Sequence, residues 1–432
     1  MKKIALLFAI AASVGAMAAG DDLQGRIDAA VSRGGGVVVV QAGMHETKPF
    51  VLKSNVTLSL EEGAVILAST NIADYAAAPG ERCFIYAECA TNVAIVGKGV
   101  IDGQGAVFKE IKGLKGESQP QMLPVLMRFS RCRNLKLEGF EFRRSGAWGC
   151  HLRNCDGVTV RRVKCFNHVN NTNDGIDIES ANVLIEECDI DADDDAIAIK
   201  TESDRSFAVT NVTIRNCRLA SSCNAFKCGT GSYSDVRDVT VENCTFHRAK
   251  ANYRFSWWKT IPGVTNRICG IAAVALEVVD GGRMDGVTIR NIRFEGYQTP
   301  IFIRHHRRHD PPEGMTTYLR NILIEDVQGV ADSRIASSIT GIPSRRPSDI
   351  TIRNVALKVP GGGTADEAAE KVPEKEREYP ESFMFNKRPL PAYGFYVRHA
   401  DNVVFDNVTV TPSSPDARRP FVCDDATVTK KP

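Results

Sequence analysis

The chain has 432 residues, 43% of them hydrophobic and 25% charged, and carries a formal net charge of +2. That composition supplies a sizeable core and excludes a disordered chain, and the near-zero charge gives no drive toward nucleic acid or a membrane surface.

Taken in chain order, Lys2 and Lys3 precede an apolar run over residues 4–14, and Ala16-Met17-Ala18 then offers an A-x-A cleavage site. The pattern predicts a signal peptide over residues 1–18, too short for a spanning helix, so the mature chain 19–432 is expected to be secreted or periplasmic. Residues 22–32 predict a short helix ahead of the valine run 37–40, placed to cap an open sheet end.

From there a polar-Val/Ile-x-Val/Ile/Leu string recurs: Asn55-Val56, Asn92-Val93, Asn134-Leu135, Gly157-Val158, Asn182-Val183, Asn211-Val212, Asp238-Val239, Gly286-Val287, Asn321-Ile322, Asp349-Ile350 and Asn402-Val403. Alternation at period two predicts half-buried strands, and the intervening Asn, Asp and Gly predict turns. A several-strand unit repeated without helical patterns implies an all-β solenoid, a parallel β-helix forming one domain. The wider gaps predict loop insertions near 250–268 and 359–392, the first carrying Tyr253, Trp257 and Trp258. On a solenoid such loops emerge on one face, where clefts form. A charged Ala/Glu/Lys stretch in the second predicts a turn or two of exposed helix.

The 13 cysteines fall mostly within strand patterns, where a buried thiol packs as a small hydrophobe. Cys83–Cys89 and Cys223–Cys228 are spaced for local bridges, and no C-x-x-C pair supports zinc.

Two acidic strings carry the chemistry, Asn173-Asp174-Gly175-Ile176-Asp177 and Asp193-Asp194-Asp195-Ala196-Ile197-Ala198-Ile199-Lys200. Asp174 precedes Asp194 by 20 residues, close to one coil. Neighbouring coils lie roughly 4.8 Å apart, so Asp174 should face Asp194 and Asp195. Carboxylates forced together share protons unequally, which is what acid/base hydrolysis of a glycosidic bond requires. As isolated strand-end aspartates they could equally be turn formers or calcium ligands.

The paired strings resemble the signature of family 28 glycoside hydrolases, the polygalacturonase family. The segments Leu52-Lys53-Ser54-Asn55-Val56-Thr57-Leu58, Ile101-Asp102-Gly103-Gln104-Gly105, Pro300-Ile301-Phe302-Ile303-Arg304 and Pro391-Ala392-Tyr393-Gly394-Phe395-Tyr396-Val397-Arg398-His399 are similar to its bacterial branch. The resemblance spans the mature chain. It implies a right-handed parallel β-helix hydrolysing α-galacturonosyl bonds with inversion, Asp194 as general acid, Asp174 and Asp195 activating water, and no metal or other cofactor. Asn173 and Asp177 complete its first string as substrate-binding candidates.

Two departures stand out. The family's Gly-His-Gly falls at Asn224-Ala225-Phe226-Lys227-Cys228-Gly229-Thr230, without histidine, and its Arg-Ile-Lys falls at Ala275-Leu276-Glu277. Glu277 in place of a cation should repel a uronate, which disfavours standard endo-cleavage of homogalacturonan, and the Ala-Leu-Glu and Phe-Lys-x-Gly-Thr patterns resemble rhamnogalacturonan-acting or exo-acting members. Lys200, Lys227 and Arg304 are then the candidates to hold the substrate carboxylate, Arg304 through bidentate pairing. The run Arg304-His305-His306-Arg307-Arg308-His309-Asp310 reads as a basic loop at a cleft rim rather than a metal site. Trp257, Trp258 and Tyr253 could stack on sugar or anchor their loop. Trp148 and His151 lie one coil before Asp174.

The expected partner is a pectic polysaccharide or oligosaccharide, bound by a monomer with no nucleic acid and no membrane. Two alternatives are a calcium-dependent pectate lyase-like enzyme and a non-catalytic glycan-binding β-helix.

Overall fold

A computed structural model describes residues 22–76, 82–110, 123–251, 268–383 and 389–432. The expected leader, and the loop bearing Tyr253, Trp257 and Trp258, lie outside the described residues. Strands pair in parallel from Gly36–Val40 to Arg419–Lys431, each with the strand one coil on, as in a β-helix. The one isolated antiparallel bridge among the described residues joins Ile342 and Arg345.

Alternation places every second residue inward: Val56–Leu60 and Ala64–Ala68 both alternate buried with half-buried positions. Register then stacks like on like. Val38, Leu58, Ile95, Leu137, Val160 and Ile185 follow one another on successive coils. Ile214, Val241, Ile289, Ile324, Ile352 and Phe405 continue the column. All twelve are buried, and burying each side chain contributes roughly 1.5–3 kcal/mol.

The polar residue opening each repeat has a definite job. Every one of those positions, from Asn55 at φ 62° to Asn402 at φ 51°, lies in the left-handed region, with Gly157 and Gly286 where side chains are missing. Asn tolerates that conformation, and its amide adds a bond between coils. Asn92 Nδ2 donates to Asn55 Oδ1 at 2.9 Å, Asn134 to Asn92 at 2.7 Å, and Asn211 to Asn182 at 2.8 Å.

The helix Leu23–Ser32 caps the first coil, with Asp22 accepting from the Gly25 amide and Leu23, Ile27 and Ala30 buried. The charged insertion forms one helical turn, Ala365–Ala368, closed by a Thr364/Glu367 capping box. A 3-10 turn follows at Pro380–Phe383.

The cysteine bridges are a correction: all thirteen cysteines are unbridged. Cys83 begins the extended strand Cys83–Glu88, and Cys228 lies within Asn224–Ser232. Five or six residues of strand span roughly 16–20 Å, far beyond disulfide reach. Cys188, Cys217 and Cys244 instead stack in the core as a ladder of buried thiols.

Candidate active site

The outward face that carries the site runs through Cys150–Arg161, Ile176–Glu186, Ile197–Thr201, Asn224–Ser232 and Gly270–Val278. Register aligns His151, Asp177, Ala198, Lys227 and Ala275 in one outward column. The last three strands are buried on both sides, because loops cover their outer face. Asp174 ends the turn before Ile176, and Asp194 and Asp195 form the turn before Ile197. The Gly175 amide donates to the Asp195 carbonyl and the Asp194 amide to the Asn173 carbonyl, so the two acidic strings sit on adjacent coils.

Together with Trp148, Lys200 and Lys227, the three aspartates line a cleft of about 340 Å³. Asp194 is half-buried, its Oδ1 accepting from the Asp195 amide at 3.0 Å. Asp174, Asp177 and Asp195 are buried. Their surroundings differ. Lys200 Nζ lies 2.9 Å from Asp174 Oδ2 and 2.7 Å from Asp177 Oδ1. Burial and the nearby Asp177 nevertheless push Asp174 well above the usual carboxylate range, and burial raises Asp177 to about 6. Burial acts on Asp195 too, but Lys227 and Lys200 outweigh it with the Asn224 amide, holding its carboxyl below the ordinary value. Asn224 Nδ2 donates to Asp195 Oδ1 at 2.7 Å.

Lys200 is not a solvated surface charge. It is buried between Asp174 and Asp177 with the Trp148 ring 4.0 Å from its Nζ, so its charge serves the acidic cluster. Lys227 is equally committed. Its Nζ lies 2.6 Å from Glu381, 3.7 Å from Glu277 and 3.8 Å from Asp195.

Three expectations need correcting. Asn173 does not face substrate: it is fully buried, donating to the Ser145 and Ala147 carbonyls and accepting from the Val169 and Asn170 amides. Those bonds fold the turn that presents Asp174. Glu277 does not confront a uronate either. It is fully buried beneath Gly229, and burial together with Glu381 pushes its carboxyl well above the usual range despite Lys227. A covered acid pushed toward its neutral form opposes a uronate little.

Arg304, the third, lies outside the cleft. Its guanidinium is buried one coil past Glu277, donating to Thr340 Oγ1 and the Gly341 and Glu374 carbonyls. Burial and the neighbouring Arg398 lower it to about 9.

His151 is buried between Arg128 Nε at 3.1 Å and Glu179 at 2.8 Å, and burial lowers its pKa to about 4. Arg308 and His309 from the basic run do line the cleft.

Other parts of the site escaped the sequence. His168 sits between Asp191 at 2.7 Å and Asp193 at 3.3 Å, bracing the turn before Asp194. Burial works against its charge, but those two carboxylates raise its pKa. Tyr379 and Glu381 come from the 359–392 insertion. Tyr379 lines the cleft half-exposed, its hydroxyl accepting from Thr230 Oγ1 at 3.0 Å. Neither the insertion's length nor its composition announces that docking.

The donors gathered at the acidic turn suit a cation poorly. Asp194, Asp195 and Cys223 bring one donor atom each within 4.8 Å of one another. A thiol suits a hard cation poorly, and Asp195 is already engaged by Asn224 and faces Lys227.

The family model of glycosyl hydrolases family 28 matches residues 37–376. The chain belongs to that family. A probable polygalacturonase of Vitis vinifera is 24% identical over 76% of this family 28 chain and 67% of its own length. An endo-polygalacturonase of Pectobacterium parmentieri is 26% identical over 72% and 76% respectively. Among solved structures, an exopolygalacturonase from Thermotoga maritima superposes with a TM-score of 0.65 at 19% identity, covering 89% of this chain and 86% of that one. At that identity the likeness is one of fold. No helix among the described residues is long and apolar enough to cross a membrane.

Proposed function

We propose that this family 28 chain is an exported monomer, a right-handed β-helix, that hydrolyses α-galacturonosyl bonds of pectin from a chain end. The observation that carries the reading is the divided electrostatics of the aspartates in one cleft. Asp195 is held ionised while Asp194 stands half-open beside it. In the proposed step a water oxygen attacks the anomeric carbon and gives its proton to Asp195. The carbon–oxygen bond to the leaving sugar breaks, and that oxygen takes the proton of Asp194. Asp174 orients the water, its charge moderated by Lys200 and by its raised affinity for a proton. Solvent exchange returns the proton to Asp194.

Action at a chain end is supported by the insertion. Arg304 donates to the Glu374 carbonyl, and Arg398 to the Val372 and Pro373 carbonyls. Further along, Glu381 grips Lys227, so the loop is fastened over one end of the acidic face. A loop held across that end of the cleft favours a polymer terminus over its middle.

Polygalacturonate and rhamnogalacturonan oligosaccharides would be digested side by side. Early release of mono- or disaccharide with little fall in viscosity is expected from the first, and the substrate turned over faster names the polymer. Random mid-chain products would refute end action. Ultraviolet-absorbing unsaturated products lost on EDTA treatment would establish a lyase instead. Binding without new reducing ends would establish a glycan-binding protein. The anomer first formed, read by NMR, decides inversion. Asp194 and Asp195 lie closer than the roughly 6.5–9.5 Å of most inverting pairs, so this measurement is needed.

A further inference from the structure

A cleft that takes a uronate needs a cation with bonds to spare, and two obvious ones have none. Lys200 is spent on Asp174 and Asp177, and Lys227 on Glu381, Glu277 and Asp195. Arg308 differs. Its Nε donates to Asp280 Oδ1 at 2.7 Å and its Nη2 to Asp280 Oδ2, so one edge of the guanidinium is clamped. Among the described residues Nη1 has no partner. The side chain lines the cleft and keeps 21% of its surface open.

The support is rigid. Asp280 is fully enclosed as a side chain and also accepts from the Ser232 amide at 3.1 Å and faces His309 Nδ1 at 2.7 Å. Arg345 ties down the loop from behind, donating to the His306 and His309 carbonyls and to Asp310. Tyr379 approaches from the insertion, its ring 5.7 Å from the guanidinium carbon.

From this geometry, and resting on the galacturonide reading above, we infer that Arg308 is the specificity-determining cation of the cleft. Its free Nη1 edge receives the carboxylate of a bound galacturonosyl unit, and Asp280 is its positioning residue. The guanidinium is planar and already oriented, so little side-chain entropy is lost on binding. It stands in for the cation that Glu277 does not supply, from the turn after a different strand. Glu202, half-buried in the same cleft, opposes a second anion least when protonated, and desolvation raises its pKa in that direction.

The test pairs two substrates that differ only in charge at the sugar carboxyl: an oligogalacturonide as free acid and as its methyl ester. For Arg308→Gln we expect kcat/KM on the free acid to fall about 10- to 100-fold, mainly through KM, while the ester changes less than about threefold. Arg308→Lys keeps a charge on Asp280 and should recover part of the loss, because a point charge lacks the fork. Equal losses on both substrates, or no loss on either, would overturn the inference. Calorimetric binding of the free acid to wild type, Arg308→Gln and Arg308→Lys gives a second readout independent of turnover. If the wild type neither binds nor cleaves either form, the galacturonide reading fails. If it acts on both and Arg308→Gln leaves their ratio unchanged, only the assignment of Arg308 fails.

Discussion

Lys227→Met tests the electrostatic division of the site most sharply. Its Nζ lies 3.8 Å from Asp195, and at an effective dielectric constant near 20 that pair is worth about 4 kcal/mol. At roughly 1.36 kcal/mol per pH unit, full loss would raise Asp195 by about three units. Lys200 remains, and the Asn224 amide still donates at 2.7 Å, while Asp174 and Glu277 are already pushed toward their neutral forms. The net upward move should therefore be about one to two units. The acidic limb of kcat/KM against pH reports the base of the free enzyme, so that limb should shift upward by the same amount. Stability follows the same linkage. A carboxyl with a depressed folded pKa stabilises above its unfolded value and loses that contribution as pH falls through the folded one. Lys227→Met gives up much of that contribution and leaves Glu381 without its 2.6 Å partner, so melting at neutral pH should drop by the equivalent of about 3–5 kcal/mol. A folded variant whose acidic limb stays within about 0.3 unit of wild type would refute the argument that Lys227 keeps Asp195 ionised.

Three further outcomes follow from the same structure. Glu277→Gln should leave kcat/KM within about twofold, since a protonated acid and an amide are alike at that site. The folded pKa of Glu277 is raised, so the native state loses stability as pH climbs above about 4.3, and the amide should flatten that decline in thermal melts at pH 5 to 8. Asn182→Ala forces a Cβ residue to hold φ 54° and removes the amide bonded to Asp156 at 2.7 Å, so urea unfolding should show a loss of about 1–2 kcal/mol. Asn182→Gly should lose less. Replacing Arg304 and Arg398 together by Met frees the 372–374 carbonyls, and chromatography of polygalacturonate digests should then show longer products among the first released.

The coil was legible because it is local. The left-handed residue that opens each repeated string is Asn, Asp or Gly, and the inward column is apolar, so both leave a mark at every repeat. Asp174, Asp194 and Asp195 could be brought together on paper for the same reason, one coil being about 20 residues there. Arg304 and Arg308 mark the limit of such reading. They stand four residues apart, yet the strand that ends at His305 puts the first under the insertion and the turn after it puts the second in the cleft. No spacing rule distinguishes them, because what covers Arg304 is a non-periodic loop about 70 residues away.

Glu277 carries the same lesson into the chemistry. Its identity suggests repulsion of an anion, but the charge on a carboxyl is a property of its neighbours, and these include Glu381, which binds Lys227 from 154 residues away in sequence. The buried floor gathers Asp174, Asp177, Asp195, Glu277 and Glu381 around just Lys200 and Lys227. Two ammonium groups cannot balance five carboxylates in a poorly solvated site, so protons make up the difference. They settle where burial and like charges are strongest, on Glu277 and within the Asp174/Asp177 pair, and they leave Asp195, which has both a lysine and the Asn224 amide. The acid–base asymmetry therefore comes from where the two lysines stand, and the insertion that carries Glu381 is as much a part of it as the two acidic strings.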